Sequence, residues 1–177
     1  MQFYKGTDRF VVLFPTLGIV VKFPIINLWF AICLLWDYVK TGERQLFREI
    51  WNYSVEQMPG FKWFLFRGLF ANWCEFLFYW QTKNIFLQPT YFSLFGLFNI
   101  QKIGKPCLIV DEDLWCQLCE LTNREVVNDE HHFSNHCNFC FTDGRLKIID
   151  YGGTKCREIV NQFGEKISEH FNPLYKY

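Results

Sequence analysis

The chain carries no excess charge of either sign: 18 Lys and Arg stand against 18 Asp and Glu in 177 residues. That balance excludes the basic footprint of a nucleic-acid binder, so no nucleic-acid partner is expected. Nor is there a long hydrophobic run. The strongest, Phe23 to Trp36, covers 14 residues and contains Pro24 and Asn27. A membrane-crossing helix needs roughly 20 apolar residues, so a buried or interfacial helix is expected there. The first 15 residues include Lys5, Asp8 and Arg9 and show no cleavable signal pattern. A cytoplasmic chain is therefore expected, and its eight cysteines read as reduced thiols or metal ligands rather than a disulfide framework. Internal repeats and low-complexity linkers are also missing.

Aromatic residues, by contrast, are abundant. They make up 20% of the chain, with 21 Phe and 7 Trp, which excludes a disordered polypeptide. So many large apolar groups exceed what a core of this size needs. Some should form an exposed surface that faces a membrane, a partner or a second copy of the chain.

Residues 10–23 read as two strands around a turn from Pro15 to Gly18, with Lys22 at the end of the second. Residues 25–57 favour helix, and Met58-Pro59-Gly60 breaks it. Residues 61–82 form a second, aromatic-rich helical stretch, and 84–103 read as a hairpin bent near Gly96. Asp111 to Thr122 reads as a helix with acidic residues in its first turn, which complements the helix dipole. Val126-Val127 reads as a short strand, and Lys155 to His170 as a final amphipathic helix.

The most informative run lies between the last two of these. Asn138 is followed by a short apolar stretch, a turn at Thr142-Asp143-Gly144, and the strand-like Leu146-Lys147-Ile148-Ile149, which delivers Asp150 onto Tyr151-Gly152-Gly153. Asn138 and Asp150 thus stand at the two ends of a hairpin. Oxygen ligands so placed suit Mg²⁺, which takes a few carboxylate or amide oxygens and completes its shell with substrate phosphates.

This run resembles the metal-binding end of the protein-kinase-like superfamily, where a catalytic-loop Asn and the Asp of D-F-G hold the metal ions. Asp150-Tyr151-Gly152 is similar to the variant found among small atypical and bacterial kinases, the lipopolysaccharide-kinase-like ones included. The resemblance implies an α+β, kinase-like fold. Residues 1–105 would form an N-terminal lobe built on an antiparallel sheet, with a helical insertion at about 24–60, and residues 106–177 a truncated C-terminal lobe. It implies ATP and Mg²⁺ as cofactors and phosphoryl transfer to a small-molecule, sugar or lipid acceptor. Lys22 takes the place of the phosphate-binding Lys of V-A-I-K. Its carboxylate partner is expected to be Glu75, because a lone Glu among aromatics is costly to bury unless a cation pairs with it.

The run from Val126 to Asn138 fits the family's catalytic loop in two registers. In one, Glu130 or the neighbouring Asp129 is the base, His132 follows it and Asn135 is the metal ligand. In the other, Asn138 is the metal ligand and Phe133 stands where the base should be, which describes an inactive pseudokinase or scaffold module. A glycine-rich phosphate loop is lacking, since Gly6 and Gly18 are isolated. Only 24 residues follow Gly153, too few for a peptide-substrate lobe.

A competing reading comes from the cysteines. Cys116-x-x-Cys119 and Cys137-x-x-Cys140 have the spacing of a four-cysteine zinc site, which would make the chain a zinc-stabilised interaction domain. A peripheral position at a membrane, or a homo-oligomer, would suit the aromatic excess.

Overall fold

The structure, a computed structural model, describes residues 1–6, 8–26, 28–42, 54–55 and 58–174. Much of the expected helix over 25–57 lies outside them. Its described part is α1 (Leu28–Thr41), which is followed by a two-stranded ladder of β4 (Ser54–Val55) and β5 (Met58–Pro59).

The architecture is α+β. A five-stranded antiparallel sheet is built from β1 (Gln2–Lys5), β2 (Arg9–Phe14), β3 (Ile19–Pro24), β6 (Thr90–Ser93) and β7 (Asn99–Lys102), in the order β1-β2-β3-β7-β6. β2 and β3 meet through a 3-10 turn over Pro15–Leu17 that closes at Gly18, whose φ is +65°, a conformation open to glycine at little cost. Register then fixes which side chains share a face. Lys22 pairs with Val11 on one side and Asn99 on the other, Val20 pairs with Gln101, and Arg9 pairs with Pro24. Because paired residues point the same way and every second residue along a strand does too, Arg9, Lys22, Asn99 and Gln101 line one face. Lys22, Asn99 and Gln101 are buried, so this face of the sheet is polar and yet sealed.

Helix α2 (Gly60–Thr82) covers that face. It approaches closely because Gly68 has no side chain: a Cβ there would lie 2.1 Å from the Asp8 carbonyl oxygen and 3.1 Å from Pro24. Buried Asn72 ties helix to sheet, donating to the carbonyls of Lys22 (3.2 Å) and Gly96 (3.1 Å), while Asn99 donates to the Asn72 carbonyl (2.7 Å). Glu75 follows Asn72 by three residues and so projects from the same side of the helix.

The second half packs a small sheet against helices. β8 (Lys105–Pro106), β9 (Phe139–Thr142) and β10 (Arg145–Ile148) lie in the order β10-β9-β8. Asp143 and Gly144 form the β9–β10 turn with φ of +56° and +77°, the positive pair that a tight Asp-Gly hairpin turn requires. Around this sheet lie α3 (Asp111–Leu121), the single-turn α4 (Glu130–Phe133) and α5 (Thr154–His170). α5 buries Cys156, Ile159, Val160, Phe163 and Ile167, the spacing of one helical face. They meet Leu114, Leu118, Val126, Phe133, Leu146 and Ile148 in the main core. Phe86 and Leu87 join this core and run beside β10, with Gln88 donating to the Ile148 carbonyl at 2.9 Å.

Three elements differ from the sequence reading, the first being β4, a strand at Ser54–Val55 inside the stretch expected as helix over 25–57. Val126-Val127 is not a strand but part of a 3-10 turn over Glu125–Asp129. Val126 is fully buried, so its apolar side chain is used in the core and not in a ladder. β1 was not expected, and its four residues are all exposed on an edge, leaving no alternation to recognise.

Candidate functional site

Lys22 and Glu75, 53 residues apart in the chain, meet between β3 and α2 with Nζ 3.0 Å from Oε2. Glu75 is fully buried and Lys22 nearly so. Lys22 also donates to the carbonyl of Ile149, the residue before Asp150. Arg9, at the start of β2, completes the arrangement: one terminal nitrogen donates to Glu75 and the other pairs with Asp150. Two cations and two carboxylates thus form one neutral, interlocked network. Such groups are tolerated inside a protein only when each charge has a partner, because each ion taken out of water alone costs several kcal/mol.

The charge states follow from this packing. Burial works against the Arg9 guanidinium, but Asp150 and Glu75 outweigh it and hold its pKa above the ordinary value. Burial pushes the Lys22 ammonium down, with Arg9 adding to the fall and Glu75 opposing it. Burial would raise the Asp150 carboxyl, yet Arg9, Lys22 and His132 together hold it well below the usual carboxylate range.

Asp150 is brought to α2 by a second close approach. A Cβ on Gly152 would meet Ala71 at 3.0 Å, so the segment after β10 can lie flat on the helix one turn from Glu75. Tyr151 anchors it from the other side. It is buried, and its hydroxyl lies 2.6 Å from Thr90 Oγ1 and 2.8 Å from the Gln88 carbonyl oxygen. The side chain of Asp150 remains 31% exposed and is the part of the network most open to solvent.

His132, on α4, extends the network. Its Nδ1 is 2.8 Å from Asp129 Oδ1, and its Nε2 is 4.0 Å from Asp150 Oδ1. Burial would lower its pKa, but the hydrogen bond that its ring donates to Asp129 and the charge of Asp150 raise it. The second oxygen of Asp129 is buried without a hydrogen-bond partner among the described residues.

The remaining expected site residues make the following contacts. The Asn138 nitrogen donates to the carbonyls of His131 (3.3 Å) and His132 (3.0 Å), and its own carbonyl accepts from Ile149. Asn138 therefore fastens α4 to the segment that carries Asp150. Asn135 caps a 3-10 turn over His136–Asn138, accepting from the Cys137 amide at 2.9 Å. Glu130 is exposed and in no ion pair among the described residues. Phe133 is fully buried and packs on Phe139. Of the four cysteines with zinc-site spacing, Cys140 is buried in β9 with its thiol pushed up to about 11 by burial. Cys116 and Cys119 are half-buried on α3, and Cys137 is exposed.

Among the described residues, no group of three or more His, Cys, Asp or Glu side chains is gathered to hold a metal ion. Of the two carboxylates beside His132, that of Asp150 is partly exposed and that of Asp129 has an unpartnered buried oxygen.

Arg9 was missed in the sequence. Its signal was the same as that of Lys22, a lone cation at the border of an apolar strand. Placing it on the Lys22 face requires the cross-strand register. Among the described residues no helix is long and apolar enough to cross a membrane. Comparison of the chain with protein-family models, with curated proteins and with solved structures gave no match.

Proposed function

We propose that this chain binds a nucleoside triphosphate with Mg²⁺ at the Lys22–Glu75–Asp150 network and transfers a phosphoryl group to a small-molecule, sugar or lipid acceptor, in the manner of a reduced kinase-like protein. The observation that carries the reading is the 3.0 Å contact between Lys22 on the third strand and Glu75 on the helix that packs over the sheet. Kinase-like catalysis requires such a strand Lys paired with a helix Glu, and an Asp opposite them. Asp150 supplies the Asp, one residue beyond the carbonyl to which Lys22 donates.

Mg²⁺ bound at Asp150 would neutralise charge that develops on the transferred phosphoryl group. Lys22 would hold the phosphates, with Glu75 keeping its ammonium in place. We assign the general base to His132 rather than Glu130, because Asp129 orients the imidazole through Nδ1 and leaves Nε2 facing Asp150. A base positioned in this way contributes typically 10²–10⁴-fold to proton transfer.

A second reading, a catalytically inactive kinase-like binding or scaffold module, is favoured by the burial of Phe133, which occupies the base position in the register that ends at Asn138. Turnover separates the two. Purified protein should consume ATP in the presence of Mg²⁺ and an acceptor panel of sugars and lipids. His132→Gln should lower the rate by about 10²-fold or more while leaving nucleotide affinity unchanged. Nucleotide binding with no consumption of ATP by the unaltered chain would select the inactive reading.

A further inference from the structure

The polar network contains one cation more than the proposed reading uses. Lys22 already satisfies Glu75 from β3, yet Arg9 reaches the same carboxylate from β2 and bridges it to Asp150. The bridge is at the open end of the network: Lys22 and Glu75 are sealed, whereas Arg9 is 11% and Asp150 31% exposed. The loop before Arg9 has a single glycine, Gly6, whose amide donates to the Arg9 carbonyl at 2.8 Å.

We propose that Arg9 is a second phosphate-binding residue of this site beside Lys22, exchanging Asp150 and Glu75 for the oxygens of a polyphosphate ligand. The proposal rests on the nucleotide reading above and names the part of the ligand that is recognised. A guanidinium presents a planar fork of donors that fits phosphate oxygens two at a time. The exchange leaves Glu75 paired with Lys22 at 3.0 Å, and Arg9 trades one anion for another. It also frees Asp150, the most exposed carboxylate of the set.

The test is equilibrium binding of three probes, ATP, inorganic tripolyphosphate and adenosine, each with and without Mg²⁺. It compares the unaltered chain with Arg9→Gln and Arg9→Lys. Arg9→Lys keeps a cation between Glu75 and Asp150, so it guards against simple unfolding, and circular dichroism of each variant checks that it is folded. Loss of a charge-assisted bidentate contact should weaken ATP and tripolyphosphate by about tenfold or more in Arg9→Gln. The weakening should appear with or without Mg²⁺, and any adenosine binding should be unchanged. Arg9→Lys should also bind phosphates more weakly than the unaltered chain, because its point charge lacks the fork. Equal or tighter binding of ATP by folded Arg9→Gln would overturn the proposal and make Arg9 a latch on Asp150. If the unaltered chain binds neither ATP nor tripolyphosphate, the nucleotide reading itself fails along with this one.

Discussion

Replacing Glu75 by Gln is the sharpest perturbation of the network. Glu75 is fully buried and, among the described residues, is the only carboxylate that receives both Arg9 and Lys22. The substitution keeps the shape and removes one negative charge, so two buried cations are left with Asp150 alone. Breaking a buried ion pair from one side costs about 3–5 kcal/mol, a large share of the 5–15 kcal/mol that holds a domain folded. Lys22→Met should cost less, because Glu75 retains Arg9. The double variant removes one charge of each sign and leaves the Arg9–Asp150 pair intact, so it should be destabilised by less than the sum of the two single changes. Urea denaturation followed by tryptophan fluorescence gives all four stabilities. The expected coupling is about 1–3 kcal/mol, the range for residues that share one network. A cost below about 1 kcal/mol for Glu75→Gln, or additivity within about 0.5 kcal/mol, would refute the argument that these charges depend on one another.

Other outcomes follow from the same geometry. The pKa of His132 is raised in the folded chain, so its contribution to stability is present below its unfolded pKa of about 6.5 and is lost as pH rises through the folded value. His132→Gln should therefore flatten the fall of melting temperature on going from pH 6 to pH 8, and an unchanged slope would count against the Asp129–His132–Asp150 arrangement. Gly68→Ala places a Cβ 2.1 Å from the Asp8 carbonyl oxygen and should cost about 1–3 kcal/mol through overpacking, read as a lower urea midpoint; a neutral result would mean that α2 does not lie so close to the β1–β2 loop. Cys137 is the one exposed thiol of the eight, so brief alkylation of the folded chain followed by peptide mass spectrometry should modify it first. Preferential modification of buried Cys140 would contradict the packing of β9.

Local signals made much of the fold legible. Pro15 and Gly18 marked the β2–β3 turn, Asp143-Gly144 marked the β9–β10 turn, and the acidic start of α3 and the apolar spacing of α5 placed both helices within a residue or two of their ends. The pairing of Lys22 with Glu75 could also be anticipated, because an acid among Phe and Trp needs a cation. Long-range register was not legible. It turns Arg9 onto the inner face beside Lys22 and puts Asn99 and Gln101 next to them. Nor could the sequence show that Asn135 and Asn138 use their side chains to hold backbone, since a capping amide and a metal-binding amide have the same residue type. Glu130 and His132 differ by half a helical turn, which leaves one exposed and turns the other toward Asp150.

The central claim is that Lys22, Arg9 and Asp150 form the phosphate end of a nucleotide site. The most direct measurement is a crystal structure of the chain soaked with a non-hydrolysable ATP analogue and Mg²⁺. The phosphates are expected within hydrogen-bonding distance of Lys22 Nζ and the Arg9 guanidinium and beside Asp150, with Glu75 still paired to Lys22. A nucleotide bound elsewhere, with the Arg9–Asp150 and Lys22–Glu75 pairs undisturbed, would contradict it.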